Sequence, residues 1–329
     1  MLLAVAAVIV GLVILIWSAD KFVDGASAVA TYAGMPPLLV GMLVIGFGTS
    51  APEMVVSAFA AAQGNPALAL GNAYGSNISN LALVLGIMAL VVPVAVHSSV
   101  VRKELPLLAA ITLVAGFQML DGTISRADAT VLLLLFAALM GWSIYVGVSG
   151  RRDPLALAPD EVAADTPELS RRQAAMALTF GLVLLIISSR LLVWGAVTLA
   201  VQLGVNELVI GLTVVAIGTS LPELASGIAA LRQGKPDLAV GNLVGSNLFN
   251  TLVVVGIAGL IHPVAVPADV LQRDWPVMMA ITLLMFPLCV NLKGGMSVIN
   301  RWEGALLLLI FVLYSGYLIW TIFAAAGLA

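Results

Sequence analysis

The sequence predicts an all-α integral membrane protein of ten transmembrane helices arranged as two inverted five-helix repeats. Three observations predict it: a composition suited only to lipid, ten apolar runs of spanning length, and a segment rich in polar motifs that recurs 170 residues later. Of the 329 residues, 61% are hydrophobic and only 9% charged, with a mean hydropathy of +1.12. A soluble chain of this size needs far more polar surface. The 14 Lys and Arg against 17 Asp and Glu give a net charge of −3, and no basic tract is long enough to bind nucleic acid. Met1 leads straight into an apolar stretch ending at Trp17. It has neither a basic n-region nor a small-residue cleavage site, so it is expected to be a first span rather than a signal peptide. Cys289 is the single cysteine, which excludes an internal disulfide and a cysteine-based metal or redox centre.

Runs of about 17 to 25 apolar residues cross a hydrocarbon core of about 30 Å. They are expected near residues 2–22, 37–62, 66–92, 104–120, 128–148, 174–203, 207–231, 237–261, 276–292 and 303–325. The one sizeable polar stretch, Arg151 to Gln173, reads as an exposed linker without a calcium-loop signature. The chain therefore divides into a first five-helix repeat at 1–149, a linker at 150–173 and a second repeat at 174–329.

Self-comparison gives the repeat its evidence. A shift of 170 lays Gly41 to Gly86 on Gly211 to Gly256 without a gap, with 21 identities in 46 positions. The matches include Gly48-Thr49-Ser50, Pro52-Glu53, Gln63-Gly64, Gly71-Asn72, Gly75-Ser76-Asn77 and Asn80. Their mates are Gly218-Thr219-Ser220, Pro222-Glu223, Gln233-Gly234, Gly241-Asn242, Gly245-Ser246-Asn247 and Asn250. Five spans separate each residue from its mate, an odd number, so the copies enter the membrane from opposite sides. With the linker inside, ten basic residues from Arg102 to Arg301 fall in inner loops, against Arg126 and Arg273 outside. That bias predicts a cytoplasmic linker and both termini outside, in a prokaryotic inner membrane. Lys21 and Arg190 are expected near helix ends, snorkelling to the interface.

Each repeat carries Gly-Thr-Ser-x-Pro-Glu, at Gly48 to Glu53 and Gly218 to Glu223. Proline removes a donor, clashes with the carbonyl four residues back and disfavours helix before it. A break is therefore expected at Thr49 to Pro52, freeing carbonyls from Gly46 to Thr49, and likewise from Ala216 to Thr219. Free carbonyls at membrane depth are tolerated where they line a polar cavity or hold a cation. Glu53 stands eleven residues before the turn at Gly64 and Ser76 twelve after it, so both sit about 17 Å from the turn, near mid-membrane. Asn72, Ser76 and Asn80 share one helical face, as do Asn242, Ser246 and Asn250.

Across the pseudo-twofold these groups all present oxygen: Glu53, Glu223, Thr49, Thr219, Ser50, Ser220, Ser76, Ser246, Asn80 and Asn250, with carbonyls of Gly46 and Ala216. Calcium takes six to eight hard oxygen ligands, and softer metals lack a thiol or imidazole here. Two carboxylates are neutralised by one calcium ion, while three sodium ions leave the site at +1. A capping box also fits Ser50-x-x-Glu53, although a neutral Gln would cap without the cost of a buried charge. Gly71, Gly75, Gly241 and Gly245 are expected to be packing positions, and Asn77 and Asn247, off the stripe, to bond between helices. His97 and His262 read as interfacial, and no phosphate loop or catalytic Ser/His pair is present, so no enzymatic activity and no cofactor are expected.

Gly-Thr-Ser-x-Pro-Glu followed by Gly-Asn-x-x-Gly-Ser-Asn-x-x-Asn, present twice, resembles the alpha-repeat signature of the sodium/calcium exchanger branch of the calcium/cation antiporters. The motifs span about 90 residues, and the ten-span topology extends the likeness to the whole chain. The resemblance implies secondary active exchange of calcium against sodium. Glu53, Glu223 and the main-chain oxygens of Thr49 and Thr219 would bind calcium. Sodium sites would use Ser50, Ser76, Ser220 and Ser246, Thr side chains, and the carbonyls of Gly46 and Ala216, with Asn80 and Asn250 lining the centre. Some relatives carry Asp where this chain has Asn250, which argues against potassium co-transport. Proton-coupled members usually carry Gly-Asn-x-x-Glu, which makes calcium/proton exchange the second reading. The expected partners are calcium, sodium and the bilayer, with no nucleic acid and no obligatory protein partner.

Overall fold

The computed structural model describes residues 1–64, 66–97, 100–148, 169–202, 216–290 and 296–325. Most of the expected linker, and the beginning of the expected seventh span, lie outside these residues. Among the described residues, ten helices of more than two turns follow in order: α1 (Leu2–Ala33), α2 (Pro37–Ala62), α3 (Pro66–Val91), α4 (Leu105–Gln118), α5 (Arg126–Val148), α6 (Arg171–Gln202), α7 (Leu221–Arg232), α8 (Pro236–Ile261), α9 (Trp275–Cys289) and α10 (Arg301–Ala325). Among the described residues, seven of them are long and apolar enough to cross a membrane. Of the other three, α4 and α9 are each extended by a preceding π-helical turn, at Val100–Glu104 and Val270–Asp274. Before α7 comes a separate helical turn, Ala216–Thr219.

Punctuation follows local chemistry. Pro37 and Pro236 occupy first-turn positions, where the missing N–H costs nothing. Gly64 and Gly234, at φ 80° and 71°, turn the α2–α3 and α7–α8 hairpins in the left-handed region that a side chain disfavours. The first span is longer than its apolar run implied. It continues past residue 22 to Ala33 and stops only at Gly34, a left-handed cap with φ 62°. Lys21 and Asp24 pair at 3.4 Å, so the helix absorbs its charges and no breaker intervenes. Lys21 and Arg190 therefore lie within 32-residue helices, with Arg190 twelve residues short of Gln202, rather than near helix ends.

Burial separates the helices into an inner and an outer set. The α3 and α8 spans are 78% and 83% buried, against 33% for α1, 22% for α6, 17% for α5 and 11% for α10. Helices α1 and α6 pack antiparallel against each other through glycines, Gly11 against Leu192 and Gly25 against Leu178. Their Ala33 and Arg171 ends meet where Tyr32 Oη donates to the Leu169 carbonyl at 2.9 Å. Two short antiparallel ribbons tie the repeats together. Strand β1 (Val94–Val96) pairs with β4 (Ser297–Ile299), with Val94 opposite Ile299. Strand β2 (Thr123–Ile124) pairs with β3 (Val264–Ala265). Each ribbon joins one strand from each repeat, so neither five-helix unit closes its loops alone.

Candidate ion-binding site

The site forms where the α2–α3 hairpin meets the α7–α8 hairpin. Helices α2 and α8 cross at backbone contact: a Cβ on Gly241 would stand 2.4 Å from the Leu38 carbonyl, and one on Gly245 2.5 Å from that of Met42. Gly46 faces Ser246 N in the same way, at 3.1 Å. These are the packing roles expected of Gly241 and Gly245; Gly71 and Gly75, with open space where a Cβ would stand, do not play the role expected of them. The approach brings α2 hydroxyls within reach of α8 side chains from the other repeat.

The expected backbone break occurs in one repeat and not in the other. At the second motif, Ser220 leaves helical geometry with φ −90° and ψ 4°, separating the turn Ala216–Thr219 from α7. The Gly218 carbonyl is taken up by Ser189 Oγ of α6 at 3.1 Å. At the first motif, residues 46–62 form a continuous α-helix with Pro52 inside it, correcting the expected break at Thr49 to Pro52. The irregularity lies one turn earlier, in a π-helical turn at Gly41–Ile45. A π-turn redirects backbone groups without ending the helix, a recurrent device at functional sites.

Side chains knit the two hairpins together. Thr49 Oγ1 lies 3.0 Å from Asn242 Oδ1 and 3.2 Å from Ser246 Oγ, and Ser246 Oγ lies 3.5 Å from Glu223 Oε1. Thr49 also reaches the Gly46 carbonyl at 3.4 Å. Asn242 Nδ2 donates to Ser226 Oγ at 3.1 Å, as Asn72 Nδ2 does to Ser57 Oγ at 3.1 Å. Asn80 Nδ2 donates to Asn247 Oδ1 at 3.1 Å, and Asn77 Nδ2 to Thr251 Oγ1 at 2.8 Å. Asn77 and Asn247 thus bond between helices, as their position off the polar stripe suggested.

Glu53 and Glu223 are 2% and 1% exposed. Neither is turned toward the surface. Among the described residues, the buried atoms without a hydrogen-bond partner include Glu53 Oε2, Glu223 Oε2, Ser50 Oγ, Ser220 Oγ, Asn80 Oδ1 and Asn250 Oδ1. All six belong to the residues selected from the sequence. Ser76 and Ser246 are buried with them, at 6% and 0% exposure. Gly46 opens the α-helical part of α2, Ala216 opens the short turn before α7, and Thr219 closes it. A buried oxygen left unpaired costs about 1–3 kcal/mol, so these six, two of them carboxylate oxygens, are costly for packing and chemically suited to a hard cation.

Several contributors escaped sequence reading. Asn80 and Asn250 were selected from the sequence, but the π-helical turns that carry them in second place, Ser79–Val84 and Phe249–Val254, were not. Nothing in the residue types marks such a turn, although its recurrence at a spacing of 170 is now visible. Ser57 and Ser226 were hidden for another reason: they are not mates, since Ser57 corresponds to Gly227, so self-comparison discards them. Ser189 corresponds to Ala19 and has no counterpart either.

The family model for the sodium/calcium exchanger protein matches residues 3–145 and 174–320. The chain belongs to the sodium/calcium exchanger family. It is 44% identical over 314 residues to the putative antiporter CaxA of Alkalimonas amylolytica, covering 95% of this chain and 98% of that one. To the inner membrane protein YrbG of Escherichia coli it is 40% identical over 301 residues, covering 88% and 89%. A solved structure of the sodium-calcium exchanger NCX_Mj, soaked with zero Na+ and Ca2+, superposes with a TM-score of 0.81 at 28% identity, covering 95% and 98%. Family and fold are those of membrane antiporters that exchange cations, calcium among them.

Proposed function

We propose that this exchanger moves calcium against sodium by alternating access at one shared site held by Glu53 and Glu223. The observation that carries the reading is that, among the described residues, the buried oxygens without partners include three from the motif pair of each repeat, on Ser50, Glu53, Asn80, Ser220, Glu223 and Asn250. Carboxylate, hydroxyl and amide oxygens suit calcium and sodium alike, so the two ions compete for overlapping ligands and loading one displaces the other. Thr49, Thr219, Ser76 and Ser246, with carbonyls at Gly46 and Ala216, complete the proposed ligand set. The name of NCX_Mj, a sodium-calcium exchanger, supports the same pair of ions.

The proposed motion follows from burial. The hairpins α2–α3 and α7–α8 hold the site, with α3 and α8 the most buried spans, while α1 and α6 form a glycine-packed antiparallel pair. That pair can slide as a unit over the inner helices, opening the site first to one side and then to the other. The charge bias of the loops supports a cytoplasmic linker with both termini outside, and the name of YrbG supports an inner membrane. The division into units at 1–149 and 174–329 remains the proposed frame for this motion.

Reconstituted vesicles test the reading. Calcium uptake should follow an imposed outward sodium gradient and stop when sodium is replaced by a large organic cation. Uptake that ignores sodium but follows a pH gradient would move the assignment to calcium/proton exchange, and flux without any counter-ion would make the protein a channel.

A further inference from the structure

The outward-facing stripe of α6 is apolar at Phe180, Val183, Ile187 and Trp194, and Arg190 interrupts it. A charged side chain within a spanning helix is costly and normally functional. Arg190 is the twentieth residue of α6 counted from Arg171, with twelve described helical residues after it. Its place is defined by what it lines. With Pro52, Ser189, Gly218, Thr219 and Pro222 it borders a cavity of ≈ 30 Å³, room for about two waters. Pro52 and Pro222, each next in sequence to a motif carboxylate, thus line the same cavity as Arg190. Its mate in the first repeat is Asp20, which lines a cleft of ≈ 200 Å³ between α1 and α7. Equivalent positions of the two repeats thus carry opposite charges.

We propose that Arg190 is a fixed counter-charge of the ion site, weakening cation binding in proportion to valence and so setting the balance between sodium and calcium. The inference rests on the shared-site reading above. A positive potential changes the binding constant of an ion of charge z by a factor raised to the power z. Removing Arg190 therefore tightens a divalent ion by the square of its effect on a monovalent one. At the dielectric of a partly hydrated cavity, the expected changes are about threefold for sodium and about tenfold for calcium.

The experiment measures half-saturating sodium and calcium for wild type, Arg190→Gln and Arg190→Lys, both by vesicle exchange and by ion-induced thermal stabilisation of the purified protein. Arg190→Gln should lower both concentrations, with the logarithmic shift for calcium twice that for sodium, and Arg190→Lys should stay near wild type. Arg190→Ala supplies the same comparison should the glutamine variant not fold. Equal shifts for the two ions, no shift, or a lysine variant that behaves like the glutamine one would overturn the proposal. Wild-type protein that binds both ions but shows no sodium-dependent calcium flux would sink the exchange reading alone, because stabilisation by the ions still reports the valence ratio.

Discussion

The two hairpins descend from one pattern and perform different local work. In the first, Pro52 rides inside a continuous helix and Thr49 sends its hydroxyl across to Asn242 and Ser246 of the other repeat. In the second, the backbone breaks at Ser220, the Gly218 carbonyl is held by Ser189, and Ser246 turns to Glu223. Identical motifs thus give unequal geometry, because the helices packed against them differ. Position 189 offers a hydroxyl where position 19 offers a methyl. An inverted repeat supplies two half-sites of the same chemistry, and the neighbouring helices decide which half is bent.

The comparison is broken most directly at the carboxylates. If the halves contribute equally to one ion, Glu53→Gln and Glu223→Gln should each reduce sodium-dependent calcium uptake about a hundredfold or more, since each removes half of the negative charge holding a divalent ion. Both variants keep size and burial, so correctly folded protein is expected from each. Retention of full exchange by either variant would mean that the site belongs to one hairpin.

How much of this was legible beforehand depends on the kind of information needed. Helix number and inversion were legible, because the membrane demands long apolar runs and because Glu53 and Glu223 recur within matching polar neighbours. The end of α1 was not legible from hydropathy, since Lys21 and Asp24 neutralise each other and let the helix run on to Gly34. The unequal treatment of Pro52 and Pro222 was not legible either, because it depends on packing between distant segments. Arg190 was misjudged for a different reason: the expected sixth span, 174–203, nearly matches α6, and the residue lies well inside both.

Packing at the crossing comes next in size. Gly245→Ala places a methyl 2.5 Å from the Met42 carbonyl, a contact that backbone can relieve only by moving α2 and α8 apart. Overpacking of this kind costs about 1–3 kcal/mol, and a clear fall in melting temperature in detergent is expected, together with weaker ion binding. Gly316→Ala, in α10 with open space around it, should leave both unchanged. Similar stabilities for the two variants would show that the close crossing is not required.

Thr49→Val tests the link between the halves. It keeps the shape but removes the hydroxyl that meets Asn242 and Ser246, leaving two buried polar groups short of a partner at about 1–3 kcal/mol. Calcium affinity is expected to fall about tenfold, measured by stabilisation of purified protein. Wild-type affinity in Thr49→Val would deny the first hairpin its role in orienting the second.

The smallest effect is expected at Ser189, and it bears most directly on why the repeats differ. Ser189→Ala releases the Gly218 carbonyl from its 3.1 Å hydrogen bond without touching a proposed ligand. A single buried hydrogen bond contributes about 0.5–1.5 kcal/mol, so an effect of about three- to tenfold on half-saturating sodium is expected, with little change in the maximal rate. The direction carries the argument. If the hydroxyl only holds the bent conformation, affinity falls on its removal, because the segment around Ser220 loses its brace. If it competes with an ion for the Gly218 oxygen, affinity rises, and the second hairpin's break would then be a ligand kept in reserve rather than a fixed bend.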